Sequence, residues 1–165
     1  MTTRVYVPSS LTGLRDVVAA DGIGPAPFVA HAVTDALRAA YDDGGEEEWE
    51  FAAAAAASRS SLKLIREDDE PRRVVLAVDA ETVRPAEGTD DPTLVSVEEV
   101  VPFRRIASVL VDLPEAGDDV RAAAASMLAA DEGDEEAEAA VDRALDHDLA
   151  WFATQEIGEL LGLSG

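Results

Sequence analysis

The apolar run from Val74 to Val78 is the sequence feature that most constrains the fold. A strand with one solvated face alternates apolar and polar residues, whereas this run has no polar position and is typical of a strand covered on both faces. The segment 107–111 has nearly the same pattern, and segments 4–7 and 94–101 are predicted as further strands. We therefore expect a sheet with helices packed on it.

Helical spacing of apolar residues occupies most of the remaining chain. In the segment with the strongest helical pattern, 46–66, one predicted buried stripe contains Phe51, Ala55, Ser58, Leu62 and Ile65. The expected fold class is α/β (α+β): a mixed four-stranded sheet with about five helices, in the order β-α-α-α-β-β-β-α-α, as a single domain over 1–165. The five predicted helices cover 10–21, 34–41, 46–66, 118–130 and 135–155.

Charge and composition exclude several classes of function. Asp and Glu number 35 against 13 Lys and Arg, so the net charge is −22. We expect neither direct nucleic-acid binding nor membrane association, because phosphate surfaces repel such a chain and no segment approaches the roughly 18 apolar residues of a membrane span. The chain has no cysteine, and we expect no cofactor, no metal site and a cytoplasmic location. The acidic excess has three interpretations: solubility, adaptation to high salt, or mimicry of a nucleic-acid surface.

Polar residues follow three of the predicted strands. Ser9 and Ser10 follow the first, Asp79 the second and Asp112 the fourth. If these strands are parallel, the residues meet at one sheet edge, where a helix N-terminus and two carboxylates could bind a phosphorylated ligand with magnesium. The alternative interpretation is that they are ordinary caps and turns.

A second candidate site lies in the predicted last helix. Four residues at four-residue spacing form one row there, namely Arg143, His147, Trp151 and Gln155. Asp148 and Glu156 lie beside this row, so His147 could act as a general base or line a metal pocket. His31 is the other histidine, and the two could form an acid–base pair if the fold brings them together. The alternative is a solvated surface histidine on an acidic helix.

Specific catalytic motifs are missing from the sequence. It contains no nucleotide-binding P-loop, no Gly-x-Ser-x-Gly and no His-Glu-x-x-His. Whether the chain is an enzyme is left open. We predict a non-enzymatic protein-interaction module with a basic protein partner, and Trp49 and Trp151 are the candidates for its partner face. The alternative function is a small ligand-dependent or metal-dependent enzyme that uses the strand ends or His147.

Three segments carry a resemblance to a known family. They are Val5-Tyr6-Val7-Pro8, the segment Ala30-His31-Ala32-Val33-Thr34, and the ending from His147 through Trp151 to Gln155-Glu156. With these segments the chain resembles a family of small acidic bacterial proteins of unknown function, along most of its length. The resemblance implies no activity and transfers no site residue.

Overall fold

The computed structural model describes residues 1–163, and a seven-stranded sheet organises this part of the chain. The strands lie in the order β5-β6-β3-β1-β4-β8-β9. β2 and β7 form a separate two-stranded ladder. The strands are β1 (Thr3–Ser9), β2 (Gly22–Ile23), β3 (Phe28–Ala32), β4 (Val74–Ala80), β5 (Val83–Pro85), β6 (Leu94–Val97), β7 (Val101–Pro102), β8 (Ile106–Asp112) and β9 (Leu149–Ala153).

Every ladder within these residues is antiparallel, which corrects the predicted mixed four-stranded sheet. The α/β class is confirmed, and β4 is an interior strand buried along nearly its whole length. The sequence patterns did not predict β2, β3, β5 or β9, each of which has five residues or fewer. Segments this short carry little periodicity of their own.

Six α-helices lie within residues 1–163, and none of them is long and apolar enough to cross a membrane. Ser10 and Thr34 cap the first two helices, each accepting a backbone N–H through its hydroxyl oxygen. The helices are α1 (Leu11–Ala20), α2 (Asp35–Ala40), α3 (Glu46–Ser61), α4 (Gly117–Asp131), α5 (Glu135–Leu145) and α6 (Ile157–Leu160).

The main hydrophobic core lies on one face of the sheet. Alternate residues of the central strands point into it, including Val5, Leu76 and Val109, each fully buried. Leu14 of α1 and Ile157 of α6 pack into the same cluster. These two helices therefore cover this face with the β2–β7 ladder.

Helix α3 crosses the opposite face. It contacts β1, β3 and β4, and its C-terminal end leads into a second core with α4 and α5. Ser61 joins α3 to the sheet, because its Oγ donates to the Ser9 carbonyl at 2.6 Å and accepts from the Val74 amide at 3.1 Å. The part of this face formed by β8 and β9 is left partly open beside α3.

The predicted final helix, 135–155, is wrong in its second half. Helix α5 ends at Leu145, and β9 then pairs with β8 in the register Trp151 to Leu110. The five residues of β9 are all apolar, a pattern that fits either a strand or a buried helix. Pairing with β8 decides between them, so Arg143, His147, Trp151 and Gln155 do not share a helical row.

The stripe predicted on α3 is only partly buried. Ser58, Leu62 and Ile65 are buried, whereas Phe51 is 74% exposed and Ala55 is exposed. The face of α3 toward the sheet is formed instead by small residues such as Ala53, Ala57 and Ser61. Small side chains let the helix lie close to the strands, and Phe51 is left at the edge of the contact.

Candidate binding surface

The predicted strand-end cluster divides between the two ends of the antiparallel sheet. Ser9 pairs with Val74 at one end, and Asp112 lies at that same end. Asp79 lies at the other end opposite Arg4, whose Nε donates to its carboxylate at 2.9 Å. Ser9 and Ser10 are buried, and the Ser10 hydroxyl caps α1. The geometry therefore does not bring Asp79 and Asp112 to a common cation.

Asp112 forms a fully buried ion pair with Arg73. Their side chains are 0% and 1% exposed, and the guanidinium Nε and Nη2 donate to the two carboxylate oxygens, each at 2.8 Å. The carboxylate also accepts the Arg73 backbone amide at 2.8 Å. Nη2 reaches the His147 carbonyl at 2.9 Å as well. This pair therefore joins β8 to the turn between α5 and β9.

His31 lies in a buried polar network on β3. Its Nδ1 is 2.7 Å from Thr93 Oγ1, whose hydroxyl donates to Asp91, and its Nε2 is 2.9 Å from Ser60 Oγ. Because the Thr93 proton is engaged by Asp91, the network suits a neutral imidazole that donates from Nδ1 and accepts at Nε2. Burial lowers the pKa of His31, and the nearby Asp91 carboxylate opposes this shift only partly.

His147 lies elsewhere, in the turn that follows α5. Its Nε2 is 2.8 Å from an Asp119 carboxylate oxygen, and the two side chains are 33% and 42% exposed. Three interior strands separate the edge strand β9, which follows His147, from the His31 strand β3. Glu156 is exposed and accepts the backbone amide of Ala153 at 2.8 Å. No group of three or more His, Asp and Glu side chains within residues 1–163 could hold a metal ion.

The two tryptophans have different surroundings. Trp49 is half-buried between α2 and α3, where its Nε1 donates to the Tyr41 carbonyl at 3.0 Å and the Arg38 guanidinium lies 5.6 Å from the ring centroid. Trp151 of β9 is 64% exposed. Trp49 is thus committed to contacts within the chain, whereas Trp151 presents its ring to solvent.

Trp151 and Phe51 lie along one shallow cavity over the open part of the sheet, which we call the aromatic groove. Its volume is about 370 Å³, and its apolar lining includes Tyr6 of β1, Ala54 of α3 and Leu110 of β8. Glu47 and Glu50 of α3 and Arg4 of β1 also line it. The Arg4 guanidinium is engaged by Asp79, so the charge on this groove is predominantly negative.

A second cavity of about 270 Å³ continues from the groove, which we call the anchor cavity. The two share Phe51, Ala54 and Leu110 in their walls. The remaining lining includes both apolar and polar residues. It consists of Ala55, Leu145 and Leu149 together with Ser58, Arg73, His147 and Asp148.

Arg73 gives the anchor cavity an available hydrogen-bond donor. Its Nε and Nη2 are engaged by Asp112 and the His147 carbonyl, whereas Nη1 makes no hydrogen bond to any described residue. The Arg73 side chain is 1% exposed, and it contributes to the lining of the anchor cavity.

Comparison with known proteins identifies the family of this chain. A family model described as "Family of unknown function (DUF6912)" matches residues 3–161. The chain belongs to this family. The predicted resemblance to a family of unknown function is thereby confirmed. No curated protein and no solved structure matches this DUF6912 chain.

Sequence reasoning missed three residues that shape this DUF6912 surface. Phe51 was assigned to the core, and neither Arg73 nor Leu110 was singled out. Arg73 directly precedes the Val74–Val78 run that forms most of β4, and Asp112 directly follows segment 107–111. Opposite charges at the ends of two buried strands are a signal of an ion pair once the strands are known to be antiparallel neighbours.

Proposed function

We propose that this chain is a non-enzymatic interaction module that binds a basic protein through the aromatic groove. The observation that carries the proposal is the exposure of Phe51 and Trp151, at 74% and 64%, in the lining of one groove. Large aromatic side chains are enriched among the residues that dominate protein–protein binding energies.

Charge supports a basic partner. Glu47 and Glu50 line the groove, Asp148 lines the adjoining cavity, and the whole chain carries −22. Complementary charge accelerates encounter and disfavours acidic partners. We also propose a cytoplasmic location, since a chain without cysteine forms no disulfide and needs no oxidising compartment.

Affinity capture with matched variants tests the proposal. The full chain is immobilised, and bound proteins are quantified by mass spectrometry for the wild type, Phe51→Ser and Trp151→Ser. The control is Leu128→Ser, which removes an equally exposed apolar side chain, 76% exposed, from α4. We expect a set of basic proteins that the control retains and both groove variants lose.

Two results would contradict the proposal. One is a bound set that is the same for the wild type and both groove variants. The other is a bound set without basic character that survives about 1 M salt unchanged, because charge attraction at an exposed rim is screened at that ionic strength.

A further inference from the structure

We propose that β9 receives an extended segment of the basic partner as an additional strand, with one apolar side chain of that segment seated in the anchor cavity. This inference rests on the proposed function and specifies how the partner binds. It also assigns Arg73 a role, as the donor to a backbone carbonyl of the bound segment.

β9 has a free edge. It pairs with β8 on one side and is the last strand of the seven-stranded sheet within residues 1–163. In an antiparallel ladder alternate residues direct their backbone N–H and C=O groups away from the neighbouring strand. β9 therefore presents a row of backbone groups to solvent, which is the usual template for strand addition by a peptide.

The anchor cavity lies at the beginning of this strand. Leu149, the first residue of β9, lines it together with Asp148. Its volume of about 270 Å³ is below the range of roughly 300–1,000 Å³ typical of pockets for drug-sized molecules. This size suits a single large aliphatic or aromatic side chain better than a whole metabolite.

Arg73 favours a neutral acceptor in this cavity. Its positive charge is already balanced by Asp112, and Asp148 adds a negative charge at the wall. A carboxylate would gain little from such a site, whereas a peptide carbonyl can accept from Nη1 without adding charge. A guanidinium N–H without a protein partner can donate a charge-assisted hydrogen bond to such a carbonyl.

Charge distinguishes a basic segment from a second copy of this chain. Asp148 precedes β9, and Glu156 contacts the amide of Ala153 at its other end. Two copies that pair through β9 would bring these carboxylates together, and each copy carries −22. Like charges placed across a paired strand are destabilising. Lysine or arginine residues on both sides of the apolar anchor of a bound segment would instead pair with these carboxylates at the two ends of β9.

Selection from a random peptide library tests the binding mode. A phage-displayed library is selected on the full chain, and the enriched peptides are measured against the wild type, Ala55→Phe and Ala125→Phe. Ala55 is an exposed wall residue of the anchor cavity, and Ala125 is an exposed alanine on α4 that lines neither cavity. We expect the enriched peptides to have one large apolar residue between basic residues. Their affinity for Ala55→Phe should be lower than their affinity for the wild type by a factor of about ten or more, and their affinity for Ala125→Phe should be unchanged.

N-methylation tests the backbone pairing directly. Each position of an enriched peptide is methylated in turn, which removes one N–H donor. Strand addition predicts that methylation abolishes binding at alternate positions and is tolerated at the positions between them. Binding of the unmethylated peptide should also change the amide chemical shifts of residues 149–153 in the NMR spectrum of the chain.

Several outcomes would overturn the inference. These are no enrichment, enriched peptides without basic residues, equal binding to Ala55→Phe, methylation tolerated throughout, or a wild-type dimer in sedimentation that pairs through β9. Protein capture that is lost in Trp151→Ser but retained in Ala55→Phe would refute the seating of a side chain in the anchor cavity and leave the proposed function standing. Capture that no groove variant affects would refute the proposed function itself.

Discussion

Asp112→Asn should destabilise the fold strongly, because it leaves the buried Arg73 guanidinium without a counter-charge. The pair is 0% and 1% exposed, and the carboxylate accepts three N–H groups from Arg73, each at 2.8 Å. Removal of one partner from such a pair costs about 3–5 kcal/mol of unfolding free energy. At this chain length the melting temperature should fall by roughly 6–20 °C. Urea denaturation followed by circular dichroism measures the change in free energy.

Asp79→Asn is the matched control, since Asp79 also pairs with an arginine on a neighbouring strand. Arg4 and Asp79 are 44% and 38% exposed, so solvent screens them and the loss should be about 1 kcal/mol or less. The double variant Arg73→Met/Asp112→Leu should lose less than Asp112→Asn, because no unpaired charge remains buried. Equal losses for Asp112→Asn and Asp79→Asn would refute the reasoning.

Three further predictions concern stability. Burial lowers the pKa of His31, so the unfolded chain binds a proton at this side chain more readily than the folded chain does, and the unfolding free energy should fall as the pH drops below about 7. Urea titrations across this pH range should show a shallower fall for His31→Gln than for the wild type, and identical curves would contradict the assignment. Ser61→Ala should lower the unfolding free energy, measured by urea denaturation, by about 2 kcal/mol, because it leaves two buried backbone groups of β1 and β4 without their partner. The control is Ser58→Ala, whose Oγ donates to a carbonyl within α3, and an equal or larger loss in the control would contradict the prediction. Phe51→Ser and Trp151→Ser should each change stability by about 0.5 kcal/mol or less, as expected for exposed side chains, and a large fall in melting temperature would assign them to the core instead.

Local patterns predicted the elements with strong periodicity. The apolar run at Val74–Val78 lies in a buried interior strand, and the predicted helix 118–130 is observed as α4 at Gly117–Asp131. Apolar continuity in the first segment and helical spacing in the second agree with the burial that each element has in the tertiary structure. β3 shows the opposite situation, because its five residues form a strand only through their pairing with β1 and β6.

The candidate site depended on information that local patterns do not contain. Strand direction decides whether Asp79 and Asp112 lie together, and the antiparallel ladder places them at opposite ends of the sheet. Residue type alone singles out Trp151 as a partner-face candidate, and the structure places it, 64% exposed, on a strand rather than on the predicted helix. Phe51 could not be identified, because its helical spacing matches a buried stripe and only the position of α3 on the sheet exposes it.

The buried ion pair and the binding surface are parts of one structural arrangement. Arg73 holds the turn before β9 through the His147 carbonyl, and the same side chain lines the anchor cavity. A hydrophobic replacement of the pair could supply comparable stability, but it would provide neither the turn contact nor a donor for a bound carbonyl. If the double variant Arg73→Met/Asp112→Leu folds, it should therefore lose affinity for the selected basic peptides. Its melting temperature should nevertheless be closer to that of the wild type than the melting temperature of Asp112→Asn is. Retained peptide affinity in a folded double variant would show that Arg73 serves the fold alone.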